Sequence, residues 1–293
     1  MPLRVVTHDG SFHADDVLAF ALIRAFRDPG AELVRTRDRD RIAAADVAID
    51  VGDEYDPARW RFDHHQASYQ GHLSSAGMVL AWLEAEGSLS HELGATLRGQ
   101  LVDFVDAVDN GRVTGHEHVP TFSQVISDIG ENANELAEYD HWFLRAASFA
   151  EDYVRGIVAS HEKTKAAARA VKHAMDEAEA EGRAVLFLDR HLKWKRAYFE
   201  QGGVDHPSDF VLFPGDGDWR VTAIPPSHGS FDKKRPLPET WAGLRDEDLA
   251  AVTGVPGSKF CHKNRFIAVF ATREAAVATL ERWGLMRRPA SVG

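Results

Sequence analysis

Short apolar runs alternate with amphipathic stretches along the first third of the chain. Leu3-Arg4-Val5-Val6-Thr7 has the pattern of a short buried strand, and Leu18, Leu22, Ile23 and Phe26 then recur at helical spacing across Val17–Phe26. Val47-Ala48-Ile49-Asp50-Val51 is a second strand, stopped at Gly52. Ser75 to Glu86 is a helix behind a serine cap, and Leu93, Leu97, Leu101, Phe104 and Val108 mark the buried stripe of another. Strands alternating with helices predict a parallel sheet, so residues 1–138 are expected to form an α/β domain.

The pattern then changes. Between Tyr139 and Glu181 there is no proline, and Gly156 is the only glycine. Trp142, Ala146, Phe149, Tyr153, Ile157 and His161 fall three or four apart, which predicts one long helix, or two in succession. Residues 139–183 are therefore expected to connect the domains. In residues 184–293, strand patterns at Ala184–Leu188, Phe210–Phe213, Val221–Ile224 and Phe266–Phe270 precede a closing helix, Arg273–Trp283. These describe a smaller C-terminal α/β domain.

Composition narrows the functional classes. The net charge of −11 argues against nonspecific coating of nucleic acid. Residues 1–183 hold 18 Lys/Arg against 32 Asp/Glu, and residues 184–293 hold 16 against 13. The acidic part suits cations; the mildly basic part could receive an anionic substrate. Cys261 is the only cysteine, so no intrachain disulfide forms, and it is expected to be a small buried residue. No apolar run reaches the roughly 20 residues of a membrane span. The opening Met1–Val6 is too short for a secretory signal. A cytoplasmic protein without membrane contact is expected.

The chemistry-bearing residues cluster near the N-terminus. His8-Asp9-Gly10-Ser11-Phe12-His13-Ala14-Asp15-Asp16 lies between the first strand and the first helix, where open α/β sheets bind ligands. Two imidazoles and a carboxylate there can converge on a divalent ion, although Asp15 or Asp16 could instead start the helix. Asp50 ends an apolar strand, where it could bridge two metals or merely face water. In Phe62-Asp63-His64-His65, neighbouring side chains of an extended segment would point to opposite faces. A turn could bring both imidazoles inward, or one could bind metal and the other substrate. Asp106 and Asp109 share a helix face ending at Asn110-Gly111, with a solvated acidic face as the plain alternative. Oxygen and imidazole donors without thiolates suit Mn²⁺ or Mg²⁺, with Zn²⁺, Co²⁺ and Fe²⁺ as alternatives.

His-x4-His-x-Asp-Asp, a strand-end Asp, Asp-His-His and a later Asp-Asn-Gly together resemble the DHH phosphoesterase superfamily. Thr7–Asp16, Arg61-Phe62-Asp63-His64-His65-Gln66 and Ser74-Ser75-Ala76-Gly77 resemble, more narrowly, the melanocyte-proliferating-gene family. The likeness runs along nearly the whole chain and is most specific in the first 111 residues. It implies a DHH-type catalytic domain and two divalent ions, usually Mn²⁺. His8 and His13 would bind one ion; Asp15, His64 and Asp109 would bind the other; Asp50 would bridge them. His13 stands where most superfamily members carry an aspartate. The resemblance further implies that His65 faces the scissile phosphate and that Asp63 orients the histidine pair.

Substrate-side candidates are spread more widely. Ser74 and Ser75 open a helix whose free N–H groups could hold a phosphate, or they could simply cap it. His228, Lys234 and Arg235 form a cationic loop that could clamp a phosphate. His262 matches a family histidine, but Arg265, Ala268 and Val269 replace the glycines that follow it in relatives. Trp194, between two lysines, could stack a base or sit in the core. The leading expectation is phosphodiester hydrolysis by metal-activated water, exonucleolytic on short single-stranded RNA or DNA. A hydrolase of a small phosphate compound (pyrophosphate, nucleotide or cyclic dinucleotide) and a non-enzymatic metal-binding regulatory protein are the alternatives. Homo-oligomerisation stays open.

Overall fold

In the computed structural model, which describes residues 1–114 and 119–287, strand β1 (Arg4–Thr7) buries Val5, Val6 and Thr7 completely. β-Branched residues covered on both faces suit an inner strand of a parallel sheet. The chain continues through α1 (Ala14–Phe26), β2 (Glu32–Arg35), the short α2 (Arg39–Ala43) and β3 (Val47–Ile49). β4 (Tyr55–Asp56) and β5 (Arg61–Phe62) complete a sheet of order β2-β1-β3-β5-β4. All its pairings are parallel except β4 with β5. The expected α/β architecture is present. The sheet points the carboxyl ends of β1, β3 and β5 the same way, so His8, Asp50 and Asp63 all emerge at one edge.

Helix α3 (Ser75–Ala85) packs on α1. The single helix expected from the Leu93–Val108 stripe is interrupted. α4 (His91–Leu97) and α5 (Asp103–Asp109) are joined by a π-helical turn over Arg98–Val102. A π turn spreads the backbone over more residues per turn, so the inward face slips along the sequence. Val105 is consequently buried where Phe104 was expected, and Asp106 is carried inward with it.

After α6 (Phe122–Gly130) comes α7 (Tyr139–Ala180), a single 42-residue helix. The chain forms two compact units, Met1–His161 and Glu162–Gly293, which divide within α7. The segment expected as a connector is thus shared. Its Phe143, Ala146, Ala150 and Val154 belong to the first core, and its Val171, Ala174, Met175 and Ala178 to the second. Between these two sets, from Val158 to Ala166, no residue of α7 is buried.

The second unit contains β6 (Val185–Phe187), α8 (Trp194–Glu200), β7 (Phe210–Pro214), β8 (Trp219–Ala223), α9 (Asp246–Thr253), β9 (Ser258–Cys261), β10 (Ile267–Phe270) and α10 (Arg273–Arg282). Its sheet has the order β6-β7-β8-β10-β9; β6 and β7 are parallel and the other pairs antiparallel. Alternate side chains serve two cores: Phe210 and Leu212 meet Trp241 and Leu280 on one face, while Val211 and Phe213 meet Trp194 and Tyr198 on the other. Trp194 is therefore a core residue. Cys261 is fully buried, and burial pushes its thiol up to about 11. Among the described residues no helix is long and apolar enough to cross a membrane.

Phe143 anchors α7 to the first unit by an edge contact with Phe12 (5.4 Å between centroids) and a tilted one with Phe20 (6.0 Å). Phe143→Ala is expected to destabilise this unit by about 3–5 kcal/mol. A urea titration would show this as a lower midpoint at unchanged slope; an unmoved midpoint would contradict the anchoring role.

Candidate metal centre

Asp50 follows β3 with a left-handed backbone, φ +53°, a conformation that aspartate tolerates better than most side chains. The turn leaves its carboxylate at the sheet edge, 3% exposed. Oδ2 lies 3.3 Å from His8 Nε2, and Oδ1 lies 3.3 Å from His64 Nε2. His64 Nε2 is also 3.2 Å from Asp109 and 3.6 Å from Asp15. Donor atoms of His8, His13 and Asp50 lie within 4.8 Å of one another, as do those of His13, Asp15 and Asp109 and those of Asp50, His64 and His65. All six expected ligands thus converge, with Asp50 and His13 each common to two of the three groups.

The two adjacent histidines reach the same place because β5 ends at Phe62, before the alternation of a strand would separate them. Their ring centroids are 4.5 Å apart. Asp63 makes the turn. Its Oδ1 accepts from the backbone N–H of His65 (3.1 Å) and contacts His65 Nδ1 (2.8 Å), while Oδ2 accepts from the N–H of Asp53 (2.7 Å). His64 is largely enclosed and His65 stands at the exposed rim.

Asp16 starts the helix and also reaches His8. Its Oδ1 accepts from the N–H groups of His13 and Val17, capping α1, while Oδ2 lies 3.4 Å from His8. Asp15 is different: both carboxylate oxygens are buried without a hydrogen-bond partner among the described residues, as are Asp16 Oδ2 and His64 Nε2. Buried anionic oxygens without donors are costly unless a cation meets them. This donor set, oxygen and imidazole only, fits a divalent cation.

The same crowding moves the protonation equilibria. Burial alone would lower the His8 imidazole, but its hydrogen bond to Asp50 and the charge of Asp16 outweigh this and raise it to about 9. His64 rises to about 10 against the same burial, driven by Asp15 and Asp50. Burial and the neighbouring Asp15 push the Asp109 carboxyl up to about 8, and also raise Asp16. Asp50 goes the other way: burial opposes ionisation, yet His64 and His8 hold it below the usual carboxylate range.

Two positioning groups were not singled out by the sequence. Arg35, buried, donates to the Gly10 carbonyl at 2.7 Å and lies over the Phe12 and Phe143 rings, which pins the loop carrying His8 and His13. Nothing in the residue order distinguishes it from the exposed Arg37 and Arg39. Asp106, for which a solvated face was the alternative, is buried and accepts from Ser74 N–H, Ser74 Oγ and Gly77 N–H. A Cβ at Gly77 would lie 2.2 Å from the Asp106 carboxylate, so glycine is what lets α3 approach α5 and set Asp109.

That contact also decides Ser74 and Ser75. Both are fully buried, and the open helix N-terminus expected for phosphate is filled by Asp106. Ser75 Oγ donates to the Phe62 carbonyl, 2.9 Å, and contacts Asp50. The remaining candidates lie in the second unit. Lys234 donates to Tyr198 Oη and to the carbonyls of Gly203 and His206. These contacts use the lysine inside its own unit, as a clip between segments. Arg235 donates to the carbonyls of Gly284 and Arg287. His228 is exposed, edge-on to Phe199. His262 accepts the Asn264 N–H and packs on Phe266. Arg265 has φ +56°, so the left-handed turn that glycine makes easily is made here by arginine.

The family model MYG1_exonuc, "Uncharacterised protein family (UPF0160)", matches residues 4–282. The "MYG1 protein" of Chlamydia muridarum is 39% identical over 282 residues, covering 96% of each chain. The human "MYG1 exonuclease" is 33% identical over 319 residues, covering 94% of this chain and 84% of its own length. Among solved structures, RecJ of Thermus thermophilus in complex with Mn²⁺ aligns with 98% of this chain and 53% of its own. At 14% identity and a TM-score of 0.30 it is too distant to bear on the chemistry.

With His8 and His64 raised above the ordinary 6.5, both rings carry protons at neutral pH that a cation must displace. Affinity for Mn²⁺ should therefore rise from pH 6.5 to 9, about tenfold per pH unit for each proton released. Calorimetric titration in buffers of different ionisation enthalpy reads the protons directly. A flat affinity with no proton release would contradict a site shared by cations and protons.

Proposed function

This chain belongs to the MYG1 family, and we propose that it is a divalent-metal-dependent phosphodiesterase, exonucleolytic on short single-stranded RNA or DNA. The observation that carries the reading is the divided carboxylate of Asp50, one oxygen towards His8 and the other towards His64. His8, His13 and Asp50 would hold one ion, and Asp15, Asp50, His64 and Asp109 the other. A cation pair supplies positive charge to the phosphoryl oxygens and lowers the pKa of the attacking water. Mn²⁺ is the first choice, with Mg²⁺, Co²⁺, Zn²⁺ and Fe²⁺ as competitors.

The protein's own groups do the rest. Asp63 engages His65 Nδ1, which fixes the ring and turns Nε2 outward at the rim. In the imidazolium form Nε2–H can donate to a phosphoryl oxygen or to the departing oxygen. Asp16 holds His8 while capping α1, and Ser75 braces Asp50 against the β5 end. The net charge of −11 favours a second reading, hydrolysis of a small phosphate compound.

With Mn²⁺, 5′-labelled RNA and DNA oligomers are expected to give ladders of shortened products. Turnover confined to pyrophosphate or bis-p-nitrophenyl phosphate would favour the second reading. His64→Ala should lower the rate by at least about 10³-fold at unchanged circular dichroism; wild-type rates in that variant would sink the assignment.

A further inference from the structure

A cavity of about 810 Å³ opens beside the metal centre, within the first unit. This lies within the roughly 300–1,000 Å³ typical of pockets that hold a small ligand, and it exceeds what one phosphate group needs. His8, His13, Asp50 and His65 line one side. Arg37 and Arg39, from the β2–α2 segment, Arg59, from the turn before β5, and Arg61, in β5, also line it, together with the acidic Asp53 and Glu54.

The four arginines are not equivalent: Arg61 donates to the carbonyls of Asp46, Arg59 and Ala45. Arg37 is held by Asp9 at 3.2 Å, and Arg59 by Glu54 at 2.7 Å. Arg39, exposed at the first position of α2, makes no side-chain hydrogen bond or ion pair among the described residues. Its neighbour Asp38 has its Oδ1 committed to the N–H groups of Asp40 and Arg41. Ile42, one helical turn on from Arg39, adds an apolar surface to the same wall. An unpaired guanidinium beside an apolar side chain, in one cavity with the candidate metal ligands, suits the alternation of phosphate and base in a nucleic-acid strand. The planar fork of arginine suits two phosphate oxygens at once.

We propose that this cavity seats the nucleotide next to the scissile bond, with Arg39 binding the neighbouring phosphodiester. The substrate class is then an oligonucleotide with at least two phosphodiesters, in preference to a lone phosphate ester. The inference rests on the phosphodiesterase reading and narrows it.

The test compares a dinucleoside monophosphate, whose only phosphodiester is the scissile one, with the trinucleoside diphosphate of the same sugar. In the wild-type protein with Mn²⁺, KM should be about tenfold lower for the trinucleoside, the effect of one charge-assisted contact. Arg39→Ala should bring the ratio of the two KM values close to one, and should remove the extra salt dependence of the longer substrate. Arg39→Lys, a point charge without the fork, should recover part of the ratio. An unchanged ratio in Arg39→Ala, or equal losses on both substrates, would overturn the inference alone. A wild-type protein that cleaves neither compound would overturn the phosphodiesterase reading, and this inference with it.

Discussion

Asp50 offers its two carboxylate oxygens to two different imidazoles, and the arrangement of the first unit serves that division. A carboxylate buried to this degree survives ionised only if positive charge stands on both sides. His8 supplies one side from the end of β1, and His64 the other from just past β5. The central strand β3 lies between β1 and β5, so the parallel sheet sets the spacing of the three groups before any side chain adjusts.

Around that axis the protein gathers more negative charge than its imidazoles can balance. Asp15, Asp16 and Asp109 crowd the same volume, which is why Asp16 and Asp109 resist ionisation while His8 and His64 hold their protons strongly. A divalent cation held there would compete with protons for one set of atoms. The surrounding structure keeps those atoms from relaxing apart. Arg35 fastens the histidine loop, Asp63 fastens His65, and Asp106 fastens α3 to the helix that carries Asp109. Each of the three uses the backbone as a partner, so the ligands are fixed by main-chain geometry as well as by side-chain packing.

The second unit shows how local charge can mislead. Lys233-Lys234-Arg235 has the composition of an anion clamp, yet Lys234 and Arg235 donate to carbonyls of their own unit. Basic side chains have long stems, and their heads go to whatever acceptors the fold exposes nearby. The first unit offers the converse case in Arg39, which sits among other charged residues and finds no partner there.

Residue order alone determined the strand–helix alternation of the first unit, the long helix, and which histidines and aspartates could serve as ligands, because periodicity and donor chemistry are local properties. It could not determine that His64 and His65 both face Asp50, since that depends on where β5 ends. Nor could it reveal the π turn after α4, which shifts the buried face by one position and carries Asp106 inward to cap α3. The roles of Ser74, Arg35 and Lys234 were settled by partners distant in sequence, and such contacts exist only once the chain has folded.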